Sequence, residues 1–149
     1  MKIIGQQLSL QNIKVVYDLN ETVPPILANK NRLEQVIFNL VTNARDAIEN
    51  RDHFPKDSGE NIIAISTWSE QRTHLNITIS DTGAGIPEKN VQKIFEPFYT
   101  TKEVGKGMGL GLSITYGIIR DFGGTINVES QPGGGTRFHL RFPSGRKSE

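Results

Sequence analysis

The sequence predicts an α/β (α+β) two-layer sandwich, a sheet with helices on one face. Three observations carry this. Apolar residues recur at helical spacing in two stretches, Asn31–Asn50 and Leu110–Phe122. Short alternating stretches bounded by Gly, Pro and polar clusters lie before, between and after them. A chain of 149 residues that mixes such strands with two or three helices fits one domain, and it can bury a layered core without staples.

Taken in order, SLQNIKVVYDLN (9–20) reads as a first strand, with Ile13, Val15 and Tyr17 alternating. ETVPPILA (21–28) follows, and the Pro24-Pro25 pair confines it to an edge or a loop. In Asn31–Asn50 the apolar stripe is Leu33, Val36, Ile37, Leu40, Ala44, Ala47 and Ile48. Asn31, with Glu34 three residues on, is the expected cap. RDHFPKDSGE (51–60) is a polar, breaker-rich loop. NIIAISTW (61–68) and HLNITIS (74–80) read as the two strands of a hairpin. From Asp81 to Met108 the chain is rich in glycine, proline and charge, with at most one short helix around Glu88–Phe95. After the second long helix, GGTINVES (123–130) and GTRFHLRFP (135–143) form two more strands joined by a turn at Pro132–Gly135. The domain is expected to occupy 1–143, with 144–149 a disordered tail.

Composition narrows the function classes. Apolar residues make up 36% and charged residues 22%, the balance of a folded soluble domain. A net charge of +1 gives no electrostatic case for nucleic acid or an anionic membrane as the main partner. No apolar run approaches the ~18–20 residues of a membrane span, and the N-terminus has no signal-peptide pattern. Cysteine is absent, which removes disulfides, thiol catalysis and Cys-ligated zinc together. A cytoplasmic protein is the expectation. His53, His74 and His139 lie in a loop, at a strand start and in the last strand, with no second histidine at metal spacing, and read as structural or solvent-exposed.

Four places could carry chemistry. On the first helix, Asn39, Asn43 and Asp46 fall within about a 60° sector at ~100° per residue, beside the apolar stripe. A solvated flank is the plain reading, but asparagine is a poor helix former. Amide and carboxylate oxygens on one face suit a hard cation such as magnesium bridging phosphates. In ISDTGAGIP, strand parity carries Asp81 onto the apolar face of Leu75, Ile77 and Ile79. Asp-x-Gly is often only a turn. A carboxylate there could instead accept from a ligand amino group, with Gly83 and Gly85 letting a flat ring approach the backbone. The long, sparsely structured segment between Gly85 and Gly107 reads as a lid. It carries FEPFYTTK, where Phe95 and Phe98 could anchor one end and Lys102 could reach a phosphate. Last, VGKGMGLGLS (104–113) has glycine at every second position from Gly105 to Gly111 and runs into a helix. The spacing fits neither a Walker loop nor a dinucleotide fingerprint. Bare amides at a helix N-terminus still suit an anion, with phosphate the natural guest.

The order NLVTNARDAIE, DTGAGIP, FEPFYTTK, GKGMGLGLS and GGGTRFHLRFP resembles the catalytic, ATP-binding domain of sensor histidine kinases. That domain is one branch of the superfamily shared with gyrase, heat-shock chaperone ATPases and mismatch-repair ATPases. The wording is most similar to the nitrogen-regulation and dicarboxylate-sensor type, and the resemblance covers roughly residues 10–143. It implies an α/β sandwich with a mixed sheet of about five strands, backed by about three helices, with a long ATP lid. It implies ATP and Mg2+ as cofactors. Asn43 would bind the magnesium, with Asn39 supporting it. Asp81 would accept from the adenine amino group, Gly83 and Gly85 would shape the pocket, and Ile86 would lie near the base. Asp46 and Ala47 would also belong to the cofactor-binding set. Thr100, Thr101 and Lys102 belong to the lid, with Lys102 reaching the phosphates. Gly107, Gly109 and Gly111, with the amides of Met108, Leu110 and Leu112, would wrap the phosphate chain. Thr136 would lie close to the adenine pocket.

Two positions depart from the family pattern. Asp46 stands where many of these kinases carry a phosphate-touching lysine, and in this the chain looks more like the chaperone ATPases. Asn39 replaces the glutamate that activates water in the hydrolytic branches, so slow hydrolysis is expected. No histidine lies in the His-Glu/Asp context of a phosphoacceptor hairpin. The implied function is to bind MgATP and present its γ-phosphoryl group to a histidine on a separate dimerisation domain of a two-component sensor kinase. A response regulator follows indirectly, and the isolated domain is expected to be a monomer. Two other readings stay open: a superfamily serine kinase acting on a partner protein, and a non-catalytic nucleotide-binding regulatory module.

Overall fold

The computed structural model describes residues 13–20, 26, 28–50, 61–96 and 111–145. The elements run β1 (Lys14–Leu19), α1 (Lys30–Asn50), β2 (Ile62–Glu70), β3 (His74–Asp81), α2 (Glu88–Val91), α3 (Gly111–Asp121), β4 (Thr125–Gln131) and β5 (Gly135–Pro143). The five strands form one mixed sheet in the order β1-β2-β3-β5-β4. β1 pairs parallel to β2, and the other pairs are antiparallel. Among the described residues the chain adopts the expected two-layer α/β sandwich, with five strands and three helices.

Strand alternation explains why the described helices lie on one face. Ile63 and Ile65 of β2, Leu75, Ile77 and Ile79 of β3, and Phe138, Leu140 and Phe142 of β5 share that face and are buried. Against them α1 buries Val36, Leu40, Val41, Ala44 and Ile48, and α3 buries Thr115, Ile118 and Ile119. Phe142, Leu40, Ile63, Ile79 and Leu140 are among the largest fully buried side chains. Truncating any of them to alanine costs about 2–5 kcal/mol, because the cavity adds to the lost transfer energy.

The other face is polar, and no described helix packs on it. Asn76 is nonetheless fully buried there. Its Oδ1 accepts from His139 Nε2 at 2.8 Å, since an amide oxygen cannot donate, and His139 stacks on Trp68 with centroids 5.3 Å apart. Arg141 bonds Glu70 at 2.7 Å beside them, which holds the exposed Glu70 carboxyl below its ordinary pKa. His74 and His139 are thus structural, as expected; His53 lies outside the described residues.

The structure corrects two local expectations. The first long helix starts at Lys30, because Asn29, not Asn31, caps it: Asn29 Oδ1 accepts from the Arg32 N–H at 3.1 Å. Of the alternating set only Ile13, the residue before β1, is fully buried, and on β1 itself Tyr17 is 52% exposed. α3 ends in a double bond pattern, with Gly123 N to Arg120 O and Gly124 N to Ile119 O, both 2.9 Å. Gly123 adopts φ 73° to make it. At the other terminus, Ser144 N donates to Thr73 O at 2.7 Å, so the first residue of the expected tail is tied to the β2–β3 turn.

Candidate functional site

At one end of the sheet four segments converge: the middle of α1, the end of β3 with the loop to residue 86, the β4–β5 turn, and the start of α3. The contacts that bring them together are mostly backbone.

Asp81 closes β3 on the helix side, as its parity predicts, and is 9% exposed. Its carboxylate accepts from the Gly83 N–H at 2.8 Å. Burial pushes its pKa from 3.8 up to about 6, against the opposing pull of the Gly83 and Thr136 backbone N–H groups. The group is therefore ionised at neutral pH with little water around it. Thr136, 6% exposed, is its register partner across β3 and β5.

The loop after Asp81 lies flat between α1 and the β4–β5 turn. Thr82 first extends the sheet, accepting from Ile62 N and donating its own N–H to Ile62 O. Ala84 N then donates to Ala47 O at 2.9 Å, and Gly133 N donates to Ala84 O at 2.7 Å. Ile86 N donates to Ser130 Oγ at 2.7 Å. This gives the two loop glycines a different reason from the one expected. A Cβ on Gly83 would lie 2.5 Å from the Ala47 carbonyl carbon. A Cβ on Gly85, whose φ is 76°, would run into the Gln131 carbonyl oxygen. Their missing side chains are filled by protein backbone, which sets the loop in place beside Asp81.

On α1, Asn39, Asn43 and Asp46 are all half-buried, at the edge of the helix–sheet layer as the helical wheel predicts. Asn39 Nδ2 donates to Thr115 Oγ1 at 3.2 Å and to Gly111 O at 3.4 Å, which joins α1 to the first turn of α3. Its oxygen is left for other partners. Asn43, one turn on, has no hydrogen bond from its side chain among the described residues. Asp46 takes Arg45 at 3.4 Å, and the Arg45 Nε is buried with no hydrogen-bond partner. Among the described residues no three His, Cys, Asp or Glu side chains could hold a metal by themselves. An uncommitted asparagine oxygen is a donor that suits magnesium, which commonly takes one or two protein ligands and completes its shell with phosphates and water.

Of the other expected site residues, Gly111 is exposed at the N-terminus of α3, and Leu112 is half-buried against the core. Phe95 packs on Tyr116 and Phe138, with centroids 5.5 and 6.4 Å away. Phe98, Thr100, Thr101, Lys102, Gly107, Met108, Gly109 and Leu110 lie outside the described residues. Sequence reasoning missed Ser130. The signal was available, since Ile126, Val128 and Ser130 alternate, so a hydroxyl stands on the apolar face at a strand end.

A family model described as histidine kinase-, DNA gyrase B-, and HSP90-like ATPase matches residues 28–146. Sporulation kinase E of Bacillus subtilis (strain 168) is 35% identical over 147 residues, which is 99% of this chain and 18% of that protein. Sensor kinase CckA of Brucella abortus (strain 2308) is 38% identical over 149 residues, 96% of this chain and 16% of that protein. The chain thus spans less than a fifth of these two relatives. Among solved structures, the catalytic domain of histidine kinase ThkA in a nucleotide-free form superposes with a TM-score of 0.76 at 32% identity, covering 97% of this chain and 89% of that one.

Proposed function

Since the chain belongs to the family of histidine kinase-, DNA gyrase B- and HSP90-like ATPases, we propose that it binds MgATP at the Asp81 end of the sheet and presents the γ-phosphoryl group to a histidine on a separate helical domain. The observation that carries this reading is Asp81 itself. A buried carboxylate with one loop N–H and one strand N–H on it is kept for a purpose, because its burial opposes its charge. An amino group on a bound base supplies the hydrogen-bond donor it lacks. In so dry a site that bond is a strong one.

The remaining residues follow from their chemistry. Asn43 offers the amide oxygen for magnesium, with Asn39 beside it. When bound, magnesium neutralises charge shared by the phosphates. Lys102 and the amides of Met108, Leu110 and Leu112 are assigned to the phosphate chain, and the Thr100–Lys102 stretch to the lid over it. Asn39 has no proton-accepting carboxylate, and its amide nitrogen already serves Gly111 and Thr115. Water is therefore poorly activated, and the γ-phosphoryl group is kept for a better nucleophile. In the transfer, an imidazole nitrogen of the acceptor forms a bond to the γ-phosphorus. The bond to the β–γ bridging oxygen breaks, and ADP leaves with its electron pair. Positioning and charge neutralisation carry the step.

The test is incubation of the chain with γ-phosphate-labelled ATP, magnesium and a histidine-bearing helical hairpin domain. Acid-labile label on the hairpin, and none on the chain alone, is expected. Strong labelling of the isolated chain, or acid-stable label on the acceptor, contradicts the reading.

A further inference from the structure

Ser130 sits near the end of β4, on the helix side, and its hydroxyl has three neighbours. The Ile86 N–H lies at 2.7 Å, the Thr136 hydroxyl at 2.8 Å and the Gly135 carbonyl oxygen at 3.1 Å. A hydroxyl has one hydrogen and two lone pairs. The Ile86 N–H can only donate, and the Gly135 carbonyl can only accept. All three contacts are hydrogen bonds at once only when the Ser130 hydrogen goes to Gly135 and one lone pair takes the Ile86 hydrogen. What remains for Thr136 is the second lone pair, so Thr136 donates to Ser130.

The consequence falls on Thr136. With its hydrogen committed, its oxygen offers only lone pairs to anything else. Asp81, its register partner, already accepts from the Gly83 N–H, and its carboxylate too offers lone pairs. Two acceptors then stand side by side on the wall of the site, both almost fully buried. An amino group brings a hydrogen to such a wall. An oxo group brings lone pairs, and a buried acceptor facing another acceptor is left unpaired at full cost.

We propose that Ser130 is a positioning residue that holds the Thr136 hydroxyl as an acceptor beside Asp81, so that the site takes a purine with a 6-amino group and excludes one with a 6-oxo group. The proposal rests on the reading of this site as a nucleotide site. It adds a residue that itself touches no ligand and acts through Thr136.

The experiment compares binding of ATP and inosine triphosphate, which differ at the 6-position, to the full chain and its variants by calorimetric titration with magnesium. The full chain should prefer ATP by at least about tenfold. Ser130→Ala frees the Thr136 hydroxyl to turn its hydrogen toward a 6-oxo group, and the preference should fall several-fold. Ser130→Thr keeps a hydroxyl and should keep the preference. Thr136→Val should lower the preference as Ser130→Ala does, and the double variant should lower it no further. If Ser130→Ala weakens both nucleotides equally, Ser130 only clamps the loop through Ile86, and the proposal is overturned. An unselective full chain overturns it as well. Should Ser130→Ala fail to fold in a thermal melt, Thr136→Val decides alone, because it leaves the Ile86 and Gly135 bonds of Ser130 in place. Failure of the full chain to bind either nucleotide is a different result and contradicts the nucleotide reading itself.

Discussion

At one end of the sheet the β2–β3 turn carries Gln71 and Arg72 at φ 50° and 60°; at the other the β4–β5 turn carries Gly133 and Gly135 at φ 75° and 85°. Both hairpins need positive φ, and only one of them uses glycine for it. The left-handed region costs a non-glycine residue about 1–2 kcal/mol, a cost the β2–β3 turn tolerates. Its residues are exposed, and the bonds that close it, Arg72 N to Ser69 Oγ and Thr73 N to Glu70 O, are local, while Ser144 N reaches its last residue at Thr73 O. The β4–β5 turn could not hold side chains so freely. A Cβ on Gly135 would meet the Asp81 carbonyl oxygen, and the Gly133 N–H is bonded to Ala84 O. Glycine appears where a second backbone lies against the turn, and that second backbone is the loop beside Asp81. One hairpin ends the sheet, while the other holds the site.

Substitutions at the two ends should therefore separate binding from stability. The largest effect is expected from Asp81→Asn, which should weaken ATP by more than about a hundredfold, because a charged acceptor is lost from a buried site. The same variant exposes a linkage. The folded-state pKa of Asp81 lies at about 6, above the ordinary 3.8. Its stabilising contribution is thus fully present below the ordinary value and is lost as pH rises through about 6, at a cost of about 3 kcal/mol. Denaturant unfolding should show the parent chain losing stability relative to Asp81→Asn between about pH 4 and pH 7.5. ATP affinity has the opposite sign, since the acceptor must be ionised. It should fall about tenfold per unit as pH drops below 6 in the parent chain. A flat affinity profile would remove Asp81 from base recognition.

Next in size is Gly85→Ala. It combines positive φ with a collision against Gln131, and should cost about 2–4 kcal/mol and most of the ATP affinity. Asn39→Ala removes the donor to Thr115 and Gly111 and should cost about 1–2 kcal/mol in thermal or chemical unfolding. Smallest is Arg72→Gly at the opposite end. It should change stability by no more than about 1 kcal/mol and leave ATP affinity unchanged, and a loss of affinity there would break the division between the two ends.

The layers of the fold were legible because their signals are local. Helical periodicity located α1 and α3, and alternation put Asp81 on the apolar face of β3. What the sequence could not convey is pairing at a distance. Nothing in β1 says that it runs parallel to β2, or that β5 inserts between β3 and β4. The cap at Asn29 was missed because Asn31 and Glu34 also fit a cap pattern. Gly83 and Gly85 were read as room for a ligand, although the atoms beside them belong to Ala47 and Gln131. Ser130 escaped because its partner Ile86 lies 44 residues away in sequence.

The central claim is that the Asp81 end of the sheet is the nucleotide site. The most direct measurement is amide chemical-shift mapping of the full chain during titration with MgATP. The account predicts saturable shifts at Asp81–Ile86, Asn39–Ala47 and Ser130–Thr136, with none at Gln71–Thr73. Shifts centred on the β2–β3 turn or on the Trp68–His139 face, with Asp81–Ile86 unmoved, would contradict it.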